Sequence, residues 1–287
     1  ARMLGGGALT ASSHDNVWRL GDEGAVEHFD GQGWTPQPTG ALEMVRGSAV
    51  PTGAVWAVGG DFYSKGRVLR GSGAGWEVMR PLSGQGISWS QDVPVQLVSD
   101  GQGEVLLRTV KVGVGPGSAT LQRWAGDHWE KVTWTALDRG GQLASGGGRI
   151  AGFVSDVSSS QVYTYAAGTW TYHSDAPAYL SALAPAADGV LFASNYSRLL
   201  RYAGTWEEAT GLSEASWYAL ATSGREAWAV GSSSGTSPNG YGLLAHFDGT
   251  VWSEVTLPTS DVVTSVAVTS SDVWLSSESG LLLRQPR

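Results

Sequence analysis

Hydrophobic and polar residues alternate along this chain with a period of two, in runs of about five residues, the signature of half-buried β-strands. Four kinds of run recur in a fixed order. The first, strand A, is small and alternating: Ala8–Ser12 (ALTAS), Ala219–Ser223 (ALATS) and Val266–Ser270 (VAVTS). The second, strand B, is apolar: Val55–Gly59 (VWAVG) and Val190–Ser194 (VLFAS). Strand C resembles Ala25–Gly31 (AVEHFDG), Leu199–Gly204 (LLRYAG) and Gln161–Gly168 (QVYTYAAG). Strand D begins at Gly-x-Trp and continues as WEKV, WEEA or WSEV. Turns rich in Asp, Gly and Ser separate the runs, as hairpins require. No helical period of useful length intervenes.

The runs form an internal repeat. Val17-Trp18-Arg19-Leu20-Gly21, then His28-Phe29-Asp30-Gly31 and Trp34, is matched by Ala227-Trp228-Ala229-Val230-Gly231, then His246-Phe247-Asp248-Gly249 and Trp252. The second tryptophan recurs as Trp76, Trp129, Trp170 and Trp206, at spacings of 36 to 53 residues, the size of a propeller blade. Residue size carries geometric meaning. Propeller blades diverge from a central axis, so inner strands need small residues and outer strands need aromatic wedges. Strand A is small, and strands B and D hold the tryptophans, which favours a propeller over a flat sandwich. The repeat predicts one all-β domain, a seven-bladed β-propeller of four-stranded antiparallel blades near residues 5–38, 39–82, 83–135, 136–175, 176–212, 213–258 and 259–287. The last blade has no Gly-x-Trp strand. Ala1–Leu4 is expected to pair with it and close the ring, hiding two sheet edges.

The consensus DVWAVG followed by HFDGxxW resembles repeats of bacterial secreted proteins and lipoproteins, and more distantly those of kelch and Asp-box propellers. A regular Gly-Gly pair per blade, typical of kelch, is missing, and so is the full Ser-x-Asp-x-Gly-x-Thr-Trp of the Asp-box. These families include lectin-like, scaffold, assembly-factor and enzyme members, so the resemblance implies a fold and no activity. It implies an extracellular, cell-surface or periplasmic location. The chain opens on Ala1 without a visible signal peptide, as a trimmed secreted or lipid-anchored protein would.

Composition narrows the partners. The 287 residues are 41% hydrophobic and 15% charged, enough for a sizeable core. A net charge of −8 without a basic stripe argues against nucleic acid. No run of about 18 apolar residues exists, so no helical membrane span is expected. The absence of cysteine excludes disulfides and thiolate chemistry. The five histidines lack zinc-site spacing, and no metal or cofactor is expected.

Most motifs have structural readings. Gly231-Ser232-Ser233-Ser234-Gly235 matches G-x-S-x-G, but that motif needs a strand-turn-helix that the repeat does not provide. His28 and His246 share one repeat place, held elsewhere by Arg123, Thr164 and Arg201, and read as strand residues. Asp30 and Asp248 sit where Asp bonds its own turn. Repeated tryptophans read as core. Trp89 has no repeat equivalent.

Loop lengths distinguish the faces. In an up-and-down blade, A–B and C–D turns share one face, and B–C turns and D-to-A connectors share the other. The first set is short throughout. The second holds Gly59–Gly66, Lys111–Ala119, Ser232–Gly242 and the connector Met79–Gln91. Irregular length on one face points to recognition there. The unpaired aromatics Trp89, Phe62, Tyr63, Tyr241, Tyr196 and Tyr179 fall on it and are the candidate binding residues, suited to a glycan or a protein partner. The alternative is a propeller glycoside hydrolase or lyase with carboxylates at the channel mouth, for which Glu43, Asp92, Glu214 and Asp261 are the candidates.

Overall fold

The computed structural model describes residues 8–21, 24–39, 45–49, 54–59, 67–72, 75–81, 92–111, 119–233 and 240–287. It is a seven-bladed β-propeller. Six blades are four-stranded antiparallel meanders, spanning residues 8–36, 45–81, 92–132, 142–176, 182–208 and 215–255. The seventh, residues 263–286, has three strands among the described residues. Each strand A touches the strand A of the blade on either side, and the strand A of blade 7 touches that of blade 1, so the ring is closed at the axis. Blade 1 is tied to blade 7 by the Leu9 N–H donating to Ser265 Oγ (2.9 Å) and by Arg19 Nη2 donating to the Gly280 carbonyl (3.1 Å). The expected pairing of Ala1–Leu4 lies outside the described residues.

Strand B is the buried spine of each blade. Val55–Gly59 is buried at every position, and Asp272–Ser277 likewise. The cores are inter-blade layers, because each sheet packs its face on the next. The strand-B tryptophans are the deepest wedges, with Trp18 at 1% exposure. The strand-D tryptophans sit further out and are half-buried: each pairs with the same place of strand C and leans onto the preceding blade. Trp76 reaches Trp18 (5.4 Å between centroids), Trp129 reaches Trp56 (5.9 Å) and Trp34 reaches Trp274 (5.7 Å). Sheets that diverge outward leave a gap of aromatic width, and its outer lip faces water.

The histidines at the repeat place are structural. His28 stacks on Trp18 at 4.1 Å and bonds Asn16 Oδ1 at 2.9 Å. His246 stacks on Trp228 at 3.8 Å and bonds Glu226 at 3.0 Å. In blade 7 the place belongs to Arg284, which lies over Trp274 at 5.2 Å and pairs with buried Asp272 at 2.8 Å. A flat cation or imidazole over an indole, anchored by a polar side chain from the start of strand B, is thus one solution used three times.

Candidate functional site

The two ends of the propeller differ in chemistry. At the short-turn end, aspartates knot the chain back on itself. Asp100 Oδ1 accepts from the N–H groups of Gln102, Gly103 and Glu104 (2.7, 3.1 and 3.0 Å), and Asp30 and Asp248 make equivalent turns. Such bonds favour the ionised form. The Thr250 hydroxyl and the turn amides hold Asp248 down to about 2, and the Gly33 and Gln32 amides lower Asp30. A channel of about 290 Å³ opens on the axis here, lined by Thr10, Ser99, Asp100, Thr222 and the glycines 146–148.

The B–C end carries exposed tyrosines. Tyr179, in the connector from blade 4 to blade 5, is 51% exposed; Tyr196, in the B–C turn of blade 5, is 64% exposed; Tyr241, after the B–C loop of blade 6, is 49% exposed. Tyr218, 46% exposed, joins them. It is the extra residue of a bulge in strand A of blade 6, Ala215–Ser223, where the register shifts between Trp217 and Ala219. Bulges re-aim a side chain out of the ladder. Tyr218 was not among the sequence candidates. Its signal is present all the same: it is a large residue in a run whose counterparts are small.

Serines and main chain join these tyrosines across three blades. The Tyr179 N–H donates to the Asp156 carbonyl of blade 4 (3.2 Å), and the Tyr196 N–H to Ser181 Oγ (3.2 Å). The Tyr196 carbonyl accepts from the Trp217 N–H (2.8 Å), beside the Tyr218 bulge. Tyr218 Oη bonds Ser232 Oγ at 2.6 Å, and the Tyr241 N–H donates to Ser233 Oγ at 3.2 Å. Ser232 and Ser233 therefore continue strand B of blade 6 and serve tyrosines. Gly231 is required just before them, because a Cβ would meet the Ser216 carbonyl.

Two of these tyrosines hold left-handed backbone. Tyr179 has φ 62° and Tyr196 φ 63°, a region that bulky side chains avoid. At Tyr196 the Ser197 N–H donates to the Asn195 carbonyl (2.8 Å), so the residue is the centre of a γ-turn of the rare, strained kind. Strain of this sort, about 1 to 3 kcal/mol each, clusters at ligand-contacting positions.

Trp89, Phe62, Tyr63 and Glu43 lie outside the described residues, as does the Asp92 side chain. Glu214 and Asp261 occupy successive connectors, into blades 6 and 7, and Asp261 accepts a bond from the Ser279 hydroxyl at 2.5 Å. No group of three metal-ligating side chains occurs among the described residues.

No protein-family model matches the sequence, and no curated protein matches it. Solved structures match it over nearly its whole length. The YCF48 protein bound to D1 peptide superposes with a TM-score of 0.68 at 17% identity, covering 98% of this chain and 93% of that one. Virginiamycin B lyase from Staphylococcus aureus gives 0.70 at 13% identity, covering 98% and 94%. The GH74 xyloglucanase from Xanthomonas campestris gives 0.69 at 15% identity, covering 98% of this chain and 52% of its own. One fold serves a peptide-bound protein, a lyase and a glycosidase, so at these identities the likeness shows the propeller alone.

Proposed function

We propose that this propeller is a non-catalytic recognition module that binds a protein or glycan partner through its B–C end, with Tyr179, Tyr196, Tyr218 and Tyr241 as the contact aromatics over blades 4 to 6. The observation that carries this reading is the pair of exposed tyrosines held at positive φ. A glycine would take those backbone positions without strain. Tyrosine there sacrifices stability to hold a phenol in solvent, which is understandable if the phenol has something to touch. Tyrosine combines a rigid apolar ring with a hydroxyl, and it stacks on sugar rings or anchors peptides with little loss of side-chain freedom.

The test is to probe the intact chain on a glycan array and on a peptide array, then repeat each positive signal with Tyr196→Ala and Tyr218→Ala. Loss of at least about 1 to 2 kcal/mol of binding per true anchor is expected. Signals that survive both changes and vanish on substituting the short A–B or C–D turns would place recognition at the opposite end.

A further inference from the structure

Strand B of blade 3, Val105–Lys111, carries a cation that the fold leaves unanswered. Its alternate residues Leu106 and Arg108 face blade 4, where Leu106 packs with Leu143 and Ile150. Arg108 lies one step further along, with Gln96 beside it on strand A and Leu121 on strand C. Elsewhere the arginines of strands B and C meet carboxylates. Arg19 reaches Glu27, Arg123 reaches Glu130, Arg201 reaches Glu207 and Arg284 reaches Asp272, at 3.3, 2.7, 3.2 and 2.8 Å. Arg108 is half-buried, has no carboxylate partner among the described residues, and buries its Nε without an acceptor. Arg201 also buries an Nε without an acceptor, but its Nη1 is paired with Glu207. Burial alone acts on the Arg108 guanidinium and lowers its pKa. A desolvated cation without a partner is a cost to the fold.

The surroundings leave one approach to it. On the axial side the Gln96 amide is committed to blade 4: its Nε2 donates to the Leu143 carbonyl (2.7 Å) and its Oε1 accepts from the Leu143 N–H (2.9 Å). On the outer side stand Leu121 and Val132, both buried. Toward the short-turn end Leu106 is fully buried, and Glu104 beyond it accepts from the Tyr165 hydroxyl (3.0 Å). Across the junction blade 4 presents Ile150, Gly152 and Val154, with the Trp134 ring so close to Gly152 that a Cβ would collide with it. None of these offers an anion. Toward the B–C end, Val110 on the same face is partly exposed and Gln142 of blade 4 is exposed, so water reaches the junction from there. Residues 82–91 and 112–118, which lead into strand A and out of strand B of blade 3, contain no Asp or Glu. Asp92 stands in the ladder opposite Lys111.

We propose that Arg108 is an anion seat, recessed in the junction of blades 3 and 4 and entered from the B–C end, that takes an Asp or Glu side chain of a partner peptide. The seat rests on the reading of the B–C end as the recognition face and gives its partner a chemistry, an acidic peptide. A guanidinium is the side chain best shaped for a carboxylate, which it holds through two parallel bonds. Depth selects the source of that carboxylate. Strand B runs on for three residues past Arg108, about 10 Å at the rise of a strand. A carboxylate on a slim side-chain stem can enter such a recess. The carboxylate of a uronate is fixed directly to its ring, and the ring would meet the rim first.

The probe is N-acetyl-glutamate amide, with N-acetyl-glutamine amide and glucuronate as controls. Each is titrated into the full chain while the Arg108 Nε–H and the neighbouring backbone amides are followed by NMR. A saturable shift is expected with the glutamate probe, at least about tenfold tighter than with the glutamine probe. Arg108→Met should abolish the amide shifts and melt no lower than the parent, because it removes an unanswered cation and keeps an apolar stem. No shift, equal binding of the glutamine probe, or glucuronate bound as tightly as the glutamate probe overturns the proposal. A lower melting temperature for Arg108→Met also overturns it, since the guanidinium would then serve the fold. Tyr196→Ala should leave the glutamate titration unchanged. Array partners that depend on Tyr196, found beside a silent glutamate titration, would therefore sink the seat and spare the recognition face; the reverse pattern would sink the face as the home of the tyrosine contacts.

Discussion

The two ends of this propeller are built from the same strands and obey different rules. At the short-turn end two solutions recur: an aspartate bonded to its own turn in blades 1, 3 and 6, and a histidine or arginine laid over the strand-B tryptophan of blades 1, 6 and 7. At the B–C end the local solutions vary more: blade 5 has a strained γ-turn at Tyr196, and blade 6 sets a bulged Tyr218 and Tyr241 on the serines of its strand B, although the strand-A bulge itself recurs in blades 3 and 7. The recurrent solutions are what packing requires. The strain at Tyr196 is not, and it asks for another cause.

The contrast breaks most readily at the core. Trp18→Ala should destabilise by about 3 to 5 kcal/mol in denaturant melts, because the indole is fully buried and both His28 and Trp76 rest on it. A loss under about 1 kcal/mol would mean that the repeat place is not structural. Trp252→Ala should cost less, since its ring meets water at the outer rim and removes less area from solvent than the Trp18 indole does. Equal losses for the two variants would deny the radial gradient from wedge to cap.

A smaller effect is tied to the short-turn end through pH. Burial lowers the His28 pKa below its ordinary 6.5, so the native state binds fewer protons there than the unfolded chain. That contribution is complete above pH 6.5 and is lost as pH falls through the depressed folded value. Asp248, lowered from 3.8 to about 2, adds stability above 3.8 that disappears as pH falls toward 2. The melting temperature should therefore decline in two separate acid windows, and His28→Gln should flatten the upper one. A single acid transition unaffected by that change would contradict the assignment.

The fold was legible in the sequence because packing repeats. A wedge needed at seven junctions leaves tryptophans at a regular interval, and small residues near the axis mark strand A. Exposure was less legible. Trp170 and Trp252 share the strand-D place and read as core, yet they are half-buried, because a repeat specifies which side chain fills a gap and not how much of it meets water. Tyr218 escaped notice because a strand-A run hides the register shift that turns one of its residues outward. Backbone sign was invisible altogether: nothing in Asn195-Tyr196-Ser197 announces that its tyrosine is left-handed, since local hydrogen bonds made in the folded turn decide it.

The most direct test of the account pairs two readings on one variant. Tyr196→Gly removes an exposed phenol and relieves a positive φ, at a position where glycine is unstrained. The account predicts a protein as stable as the parent or up to about 1 kcal/mol more so, with binding to its array-identified glycan or peptide reduced at least about tenfold. A variant that loses stability and keeps its ligand would show that Tyr196 packs the turn, and the B–C end would lose its claim to recognition.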